Sequence, residues 1–289
     1  MSAIYKREVK AYFTSVLGYM MMGIFLIMVG FFFWGNNLSM QNSSVGSTLY
    51  AVSSLFIIIL PMLSMRLFAE EQRHKTDQLL FSAPVTIMDV ILGKFFAVVT
   101  VFSIPMIVIC TMPLVLALYT TGGYPFLQNY ACIFLFWLMG CVMLALGILI
   151  SSMTDSQVVA GLVTIGINFT FWLLDAIVSI LPATATASVI GISILVLIGC
   201  IVIFVFMKNI IVAGTLFVVG EAVLVVLLQW KSTIFESLFG NILSSVSMYS
   251  KLQGFVYGTF DVSTVVYFVS LIGLFLYLTM QVIQKRRYS

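Results

Sequence analysis

Apolar runs of about twenty residues recur along the whole chain, divided by short polar breaks, and that spacing leaves few folds open. A helix rises ~1.5 Å per residue, so ~20 apolar residues are what it needs to cross a hydrocarbon layer ~30 Å thick. Hydrophobic residues make up 62% of the chain and charged residues 8%, with a mean hydropathy of +1.18. Soluble domains carry roughly 45–50% apolar residues. The runs lack the alternation of apolar and polar residues that a transmembrane barrel requires. The expected fold class is all-α, a polytopic helical membrane bundle.

Eight spans are expected, at 16–35, 49–68 with a kink at Pro61, 95–119 with Pro105 and Pro113 inside, 131–151, 157–181, 187–207, 210–230 and 263–284. The block 187–230 is too long for one crossing and divides at Lys208 and Asn209, giving six core helices plus an extra pair. Six spans, with 187–230 as a re-entrant or lateral pair, would also leave both termini on one side. Charge placement speaks for eight. With a cytoplasmic N-terminus, eleven of the thirteen basic residues lie inside and only Lys231 and Lys251 outside, as the positive-inside rule demands. Both termini are then cytoplasmic, and the chain crosses the inner (cytoplasmic) membrane of the cell several times.

The chain begins with basic residues before an apolar run, as a signal peptide does, but that run is long and has no clear small-residue cleavage site, so it reads as the first span. In residues 1–14, Ile4, Tyr5, Val9, Tyr12 and Phe13 share one helical face while Lys6, Arg7 and Lys10 occupy another. That pattern suits a helix lying in the headgroup plane; the alternative is a loose basic flank.

Eight of the 23 formal charges fall between Arg66 and Lys94: Arg66, Glu70, Glu71, Arg73, Lys75, Asp77, Asp89 and Lys94. The single histidine, His74, lies among them. Arg66–Arg73 contains good helix formers and extends the second span. Thr76 or Asp77 can cap a short helix that ends where Pro84 restricts its neighbour, and Leu79, Leu80 and Phe81 give it an apolar surface. Thr86 and Asp89 have capping-box spacing for a helix leading through Gly93 and Lys94 into the third span. The segment is either an insert for a groove on a second protein or a solvated elbow whose leucines touch lipid; spacing alone does not decide.

The stretch RLFAEEQRHKTDQLLFSAPVTIMDVILGKF resembles the signature region of permease subunits in ABC-2-type ABC exporters. In that pattern a carboxylate pair ends the second helix, a Thr-x-x-Leu-Leu-x-x-x-Pro coupling helix follows, and Gly-Lys precedes the third. Glu70, Glu71, Thr76, Leu79, Leu80, Pro84, Gly93 and Lys94 match it; Lys75 stands where the family often has glycine. Residues 4–8 are similar to the family's N-terminal interface helix, and the tail from Gly254 is similar to the end of gliding-motility-type permeases. The resemblance implies a permease that faces a second permease subunit, homologous or identical, and docks through residues 66–94 on a cytoplasmic ABC ATPase subunit. Arg66, Glu70, Glu71, Thr76, Asp77, Leu79, Leu80, Pro84 and Lys94 are then the ATPase-coupling residues, and ATP and magnesium bind the partner. The chain itself is expected to hold no cofactor.

The residues themselves point away from chemistry. One histidine permits neither a His pair for a metal nor a Ser–His–Asp set, there is no GxxxxGK[ST] phosphate loop, and the four cysteines sit in apolar runs without ligand spacing. No catalytic residue, metal or nucleic-acid partner is expected. Asp175 and Glu221 interrupt apolar runs, where a charge costs at least ~2.5–3.5 kcal/mol at a helix centre. Together with Asn168 they either line a polar pathway or make interhelical hydrogen bonds. Two intramembrane carboxylates also fit a proton-coupled secondary transporter, and a membrane scaffold is a third reading. The aromatic-rich segment 231–262 is expected on the extracytoplasmic side, as an interfacial belt, an outer gate or a seat for an accessory protein.

Overall fold

The computed structural model describes residues 1–75, 86–120, 124–180 and 238–288, with 188, 190–193, 197, 214–215 and 221 between them. Among these residues the regular structure is helical, without a strand. The helices are α1 (Ser2–Thr14), α2 (Val16–Phe33) running into a π-helix (Trp34–Ser39), α3 (Val45–Ser53), α4 (Phe56–Ser64), α5 (Arg66–Arg73), α6 (Ile87–Ile109), α7 (Met112–Tyr119), α8 (Phe126–Met153), α9 (Gln157–Ile180), α10 (Leu238–Val246), α11 (Met248–Val256) and α12 (Val262–Tyr288). Among the described residues five stretches are long and apolar enough to cross a bilayer: Gly18–Ser39, Ile87–Tyr119, Phe126–Met153, Gln157–Leu174 and Val262–Arg286. Val45–Ser53 with Phe56–Arg73 makes a sixth when the bent pair counts as one span. The expected spans 187–207 and 210–230 lie outside the described residues, apart from isolated positions.

The chain divides into two compact units, Met1–Trp172 with Met248–Ser289, and Leu173–Ser247. In the first unit α8 is central, and most of its residues from Cys132 to Ser152 are buried. Four phenylalanines tie the surrounding helices together. Phe56 of α4 stacks on Phe136 of α8 at 4.4 Å between ring centroids, with Phe102 of α6 edge-on at 5.6 Å and Phe25 of α2 at 6.0 Å. Lipid tails are as apolar as leucine, so contact packing rather than the hydrophobic effect holds such helices together. The outward faces are apolar too, with Ile27, Phe31, Ile107 and Leu118 exposed, as suits helices surrounded by hydrocarbon.

Two glycines of α8 let neighbouring helices approach closely. A Cβ at Gly140 would fall 2.4 Å from the Phe102 ring, and one at Gly147 would fall 1.9 Å from Ser64 Oγ. At both positions α8 admits a neighbour that any side chain would push away.

The second span corrects the expected kink at Pro61. The bend, 63°, lies between α3 and α4, six residues before the proline, which sits inside α4. Ser53 and Ser54 explain its place. Their hydroxyls donate to the carbonyls of Tyr50 and Ala51 at 2.5 and 3.0 Å, and such back-bonding competes with the helical ladder. Leu55, Ile57 and Ile58 then take three-residue bonds to Val52, Ser54 and Leu55. The third expected span is likewise two pieces, broken at Cys110 and Thr111. Pro105 stays within α6, while Pro113 falls in the first turn of α7, where its missing N–H would have lacked a partner anyway. The polar stretch after the first span is partly helical, because Trp34–Ser39 continues it as a π-helix.

A charged cluster where three helices meet

The N-terminal helix lies against α6 and α2. Ile4 and Tyr12 are buried by the bundle, while Lys6, Arg7 and Lys10 stay exposed. Gly93 of α6 makes room, since its missing Cβ would stand 3.3 Å from Ile4 Cβ. One turn of close packing thus places the Arg7–Glu8 pair beside Lys94.

Lys94 is fully buried. Its ammonium contacts Glu71 Oε1 at 2.9 Å and Glu8 Oε1 at 3.4 Å, donates to the Leu67 carbonyl at 2.5 Å, and sits 4.9 Å from the centre of the Phe68 ring. Arg7 completes the ring of charge, donating to Glu71 at 2.5 Å and to Glu8 at 2.9 Å. The Glu8 hydrogen bond, with the charges of Glu8 and Glu71 behind it, raises the Arg7 guanidinium above its already high ordinary value. Two cations and two carboxylates therefore join α1, α5 and α6. Charge-assisted bonds of this kind are roughly twice as strong as neutral ones.

Arg66 is held differently. Its guanidinium lies 3.8 Å above the Tyr12 ring and donates to Ser15 Oγ at 3.4 Å. Tyr12 is buried and donates to the Leu63 carbonyl at 2.5 Å; burial pushes its phenol up to about 12, against a smaller opposing effect of Arg66. A cleft of about 520 Å³ runs between α1 and α5, with Arg7, Arg66, Glu70, Glu71 and His74 on its walls.

The end of α8 clamps the start of α5. Ser151 Oγ accepts from the backbone N–H groups of Phe68 and Ala69, both at 3.1 Å, and donates to the Met65 carbonyl at 2.8 Å. Gln72 donates to the Ser152 carbonyl at 3.0 Å. Ser151 caps α5 from another helix. Its replacement by alanine leaves two buried N–H groups without that partner and should lower stability by ~1–3 kcal/mol, measurable as a fall in the unfolding temperature of the detergent-solubilised protein. An unchanged unfolding temperature would show that water serves the two donors as well.

Helix α5 ends with His74 as its cap residue, and Lys75 follows at φ 55°. That left-handed conformation is the usual end of a helix and is easiest for glycine, so Lys75 adopts the glycine-like turn despite its side chain. On the far side of the segment, Thr86 caps α6. Its hydroxyl oxygen accepts from the Asp89 N–H at 3.1 Å and its hydroxyl donates to the Asp89 carboxylate at 2.6 Å, so half of the anticipated capping box forms. Thr76, Asp77, Leu79, Leu80 and Pro84 lie outside the described residues.

The intramembrane candidates are not part of this cluster. Asn168, on α9, is fully buried, and neither atom of its amide has a hydrogen-bond partner. In the second unit, Ser193 donates to Glu221 Oε2 at 2.8 Å, while Oε1 is buried without one. The side chain of Asp175, also on α9, lies outside the described residues. Among the described residues no group of three or more His, Cys, Asp or Glu is placed to hold a metal ion. Arg7, Glu8, Tyr12 and Ser151 are the site residues that sequence reasoning did not assign. Arg7 was visible only on the basic face of the first helix and within the stretch 4–8, and Glu8 only within that stretch.

Part of this charged hub, in a chain with five or six membrane-length helices among its described residues, falls within the stretch that a family model recognises. The model described as ABC-2 family transporter protein matches residues 35–187, more than half of the chain. The chain belongs to that family. It is therefore an ABC-2 permease, a multi-pass membrane component of an ABC transporter, from a family that is not itself catalytic. The match takes in Glu71 and Lys94 but stops short of Arg7 and Glu8, which lie before it. No curated protein matches the chain.

Proposed function

We propose that this ABC-2 permease is the transmembrane subunit of an ATP-driven exporter in the inner membrane, that it pairs with a second permease subunit, and that residues 66–94 couple it to a separate cytoplasmic ATPase carrying ATP and magnesium. The observation that carries this reading is the Lys94–Glu71–Glu8–Arg7 cluster. It fastens together the two helices that flank residues 76–85 and the N-terminal helix beside them. A displacement delivered to that segment would reach three elements at once, which is what biasing a two-state bundle requires. Arg66 and Glu70 line the neighbouring cleft, and Leu79 and Leu80 supply the apolar contact. The tail's likeness to gliding-motility-type permeases supports placing the protein near that subgroup.

Asn168, Asp175 and Glu221 belong to this proposal as polar positions of the bundle, and the unpaired amide of Asn168 is the feature that supports a role for them. A proton-coupled transporter would leave the charged cluster without a task.

The test is purification of the tagged permease from its native membranes in mild detergent. An ABC ATPase should co-purify, and Leu79→Asp with Leu80→Asp, or Glu70→Lys, should release it or uncouple its hydrolysis from the permease. Recovery of the permease with no ATPase would overturn the reading.

A further inference from the structure

The end of the bundle away from the charged cluster holds a second built feature. Tyr119 lies 25 residues beyond Lys94 along α6 and α7, ~38 Å at the helical rise, so Tyr119 and Thr120 stand about one hydrocarbon layer away from Lys94. There a cavity of about 620 Å³ opens between the π-helix and its following turn on one side and the end of α7 on the other. Its size falls in the ~300–1,000 Å³ range of small-molecule sites. Among its described lining residues are three carboxamides (Asn37, Gln41, Asn42) and three hydroxyls (Ser43, Tyr119, Thr120), and none of those described is Asp, Glu, Lys, Arg or His.

Three local features converge on its wall. Asn37 and Leu38 reach it from a π-helix, a conformation that is rare and concentrated at functional sites. Gln41 holds φ at 53°, a left-handed backbone that costs a residue with a Cβ of order 1–3 kcal/mol and persists only when its surroundings impose it. Asn37 does the imposing. Its buried amide donates to the carbonyls of Asn42 and Ser44 at 2.7 and 2.9 Å and accepts from Thr48 Oγ1 at 2.5 Å. Asn42 in turn accepts from the Ser44 N–H at 2.9 Å. The turn is thus fixed from within, while Gln41 and Tyr119 stand exposed at the opening, Tyr119 with an aromatic face uncovered.

We propose that this cavity binds a neutral, polyhydroxylated ligand, a sugar ring, with Gln41 and Asn42 exchanging hydrogen bonds with its hydroxyls and Tyr119 covering its less polar face. The described wall offers amides and hydroxyls, which match a sugar's mixed donors and acceptors, and no formal charge among them to offset the desolvation of an ionic ligand. The ring can come from a free glycan or from the headgroup of a glycolipid in the outer leaflet. Only the outer-leaflet placement rests on the proposed topology; the binding itself does not depend on ATPase coupling, and its test involves no nucleotide.

The experiment is titration of the permease in nanodiscs with maltose and with chitobiose, followed by saturation-transfer NMR, alongside nanodiscs containing or lacking diglucosyl diacylglycerol, followed by native mass spectrometry. At least one of these probes should bind, and Tyr119→Ala and Gln41→Gly should each weaken it tenfold or more. Gln41→Gly keeps the left-handed turn while removing the amide, so its unfolding temperature should not fall. Binding of the free sugars identifies a glycan site, and retention of the glycolipid alone identifies a headgroup site. The proposal is overturned if no probe binds, if both variants bind as the parent does, or if glucose 6-phosphate binds as well as the neutral sugars.

Discussion

Lys94→Met should be the most damaging single substitution in the described part of the protein, lowering stability by ~3–5 kcal/mol, the range for removing one partner from a buried ion pair. Methionine keeps most of the length and the apolar stem, so the change isolates the charge. What disappears is the cation that meets Glu71 at 2.9 Å, Glu8 at 3.4 Å and the Leu67 carbonyl at 2.5 Å. The two carboxylates then compete for Arg7, half-buried among groups that can no longer neutralise them. Thermal unfolding in detergent should show the loss, and limited proteolysis should cut the N-terminal helix sooner. Pairing Lys94→Met with Glu8→Gln should lose less than the two single losses added together, because the residues share one network. A Lys94→Met protein as stable as the parent would mean that the cluster does not hold the three helices together.

The second large effect is steric. Gly147→Ala places a methyl 1.9 Å from Ser64 Oγ and 2.7 Å from Ser64 Cβ, so α4 and α8 have to separate or rotate. Overpacking of this kind costs about 1–3 kcal/mol. Ser64 is itself fully buried and donates to the Leu60 carbonyl at 3.0 Å, which leaves its side chain little room to swing aside. Ser64→Gly introduced into the Gly147→Ala protein should recover much of the unfolding temperature by returning the space. If Gly147→Ala alone changes nothing, the two helices do not approach as closely as described.

The parts of this molecule written in short-range chemistry could be read from the sequence. Span length needs only a count of apolar residues, so 157–181 and 263–284 match α9 and α12 within a few residues. The Thr86 cap is a three-residue signal and was found. The bend in the second span was assigned to Pro61 because proline is the loudest helix breaker, whereas two adjacent serines turning on their own backbone make a quieter one. Partners far apart along the chain were not legible. Arg7 and Glu71 are separated by 64 positions and Lys94 and Glu8 by 86, and no periodicity relates them. The same holds for Ser151, whose task is to cap a helix that began 85 residues earlier. Asn37 looked like one more polar residue in a loop, since nothing local announces that a π-helix will bury it.

A straight rod passes a push along its axis to its far end unchanged. The second span is bent by 63° between Ser53 and Phe56, and beyond 45° the sideways part of such a push exceeds the part that continues forward. The span thus has the geometry of a crank. A stroke along α4 and α5 would swing α3 across the bundle rather than drive it outward. The Phe56–Phe136 stack, just past the elbow, is the bearing on which that turn would take place.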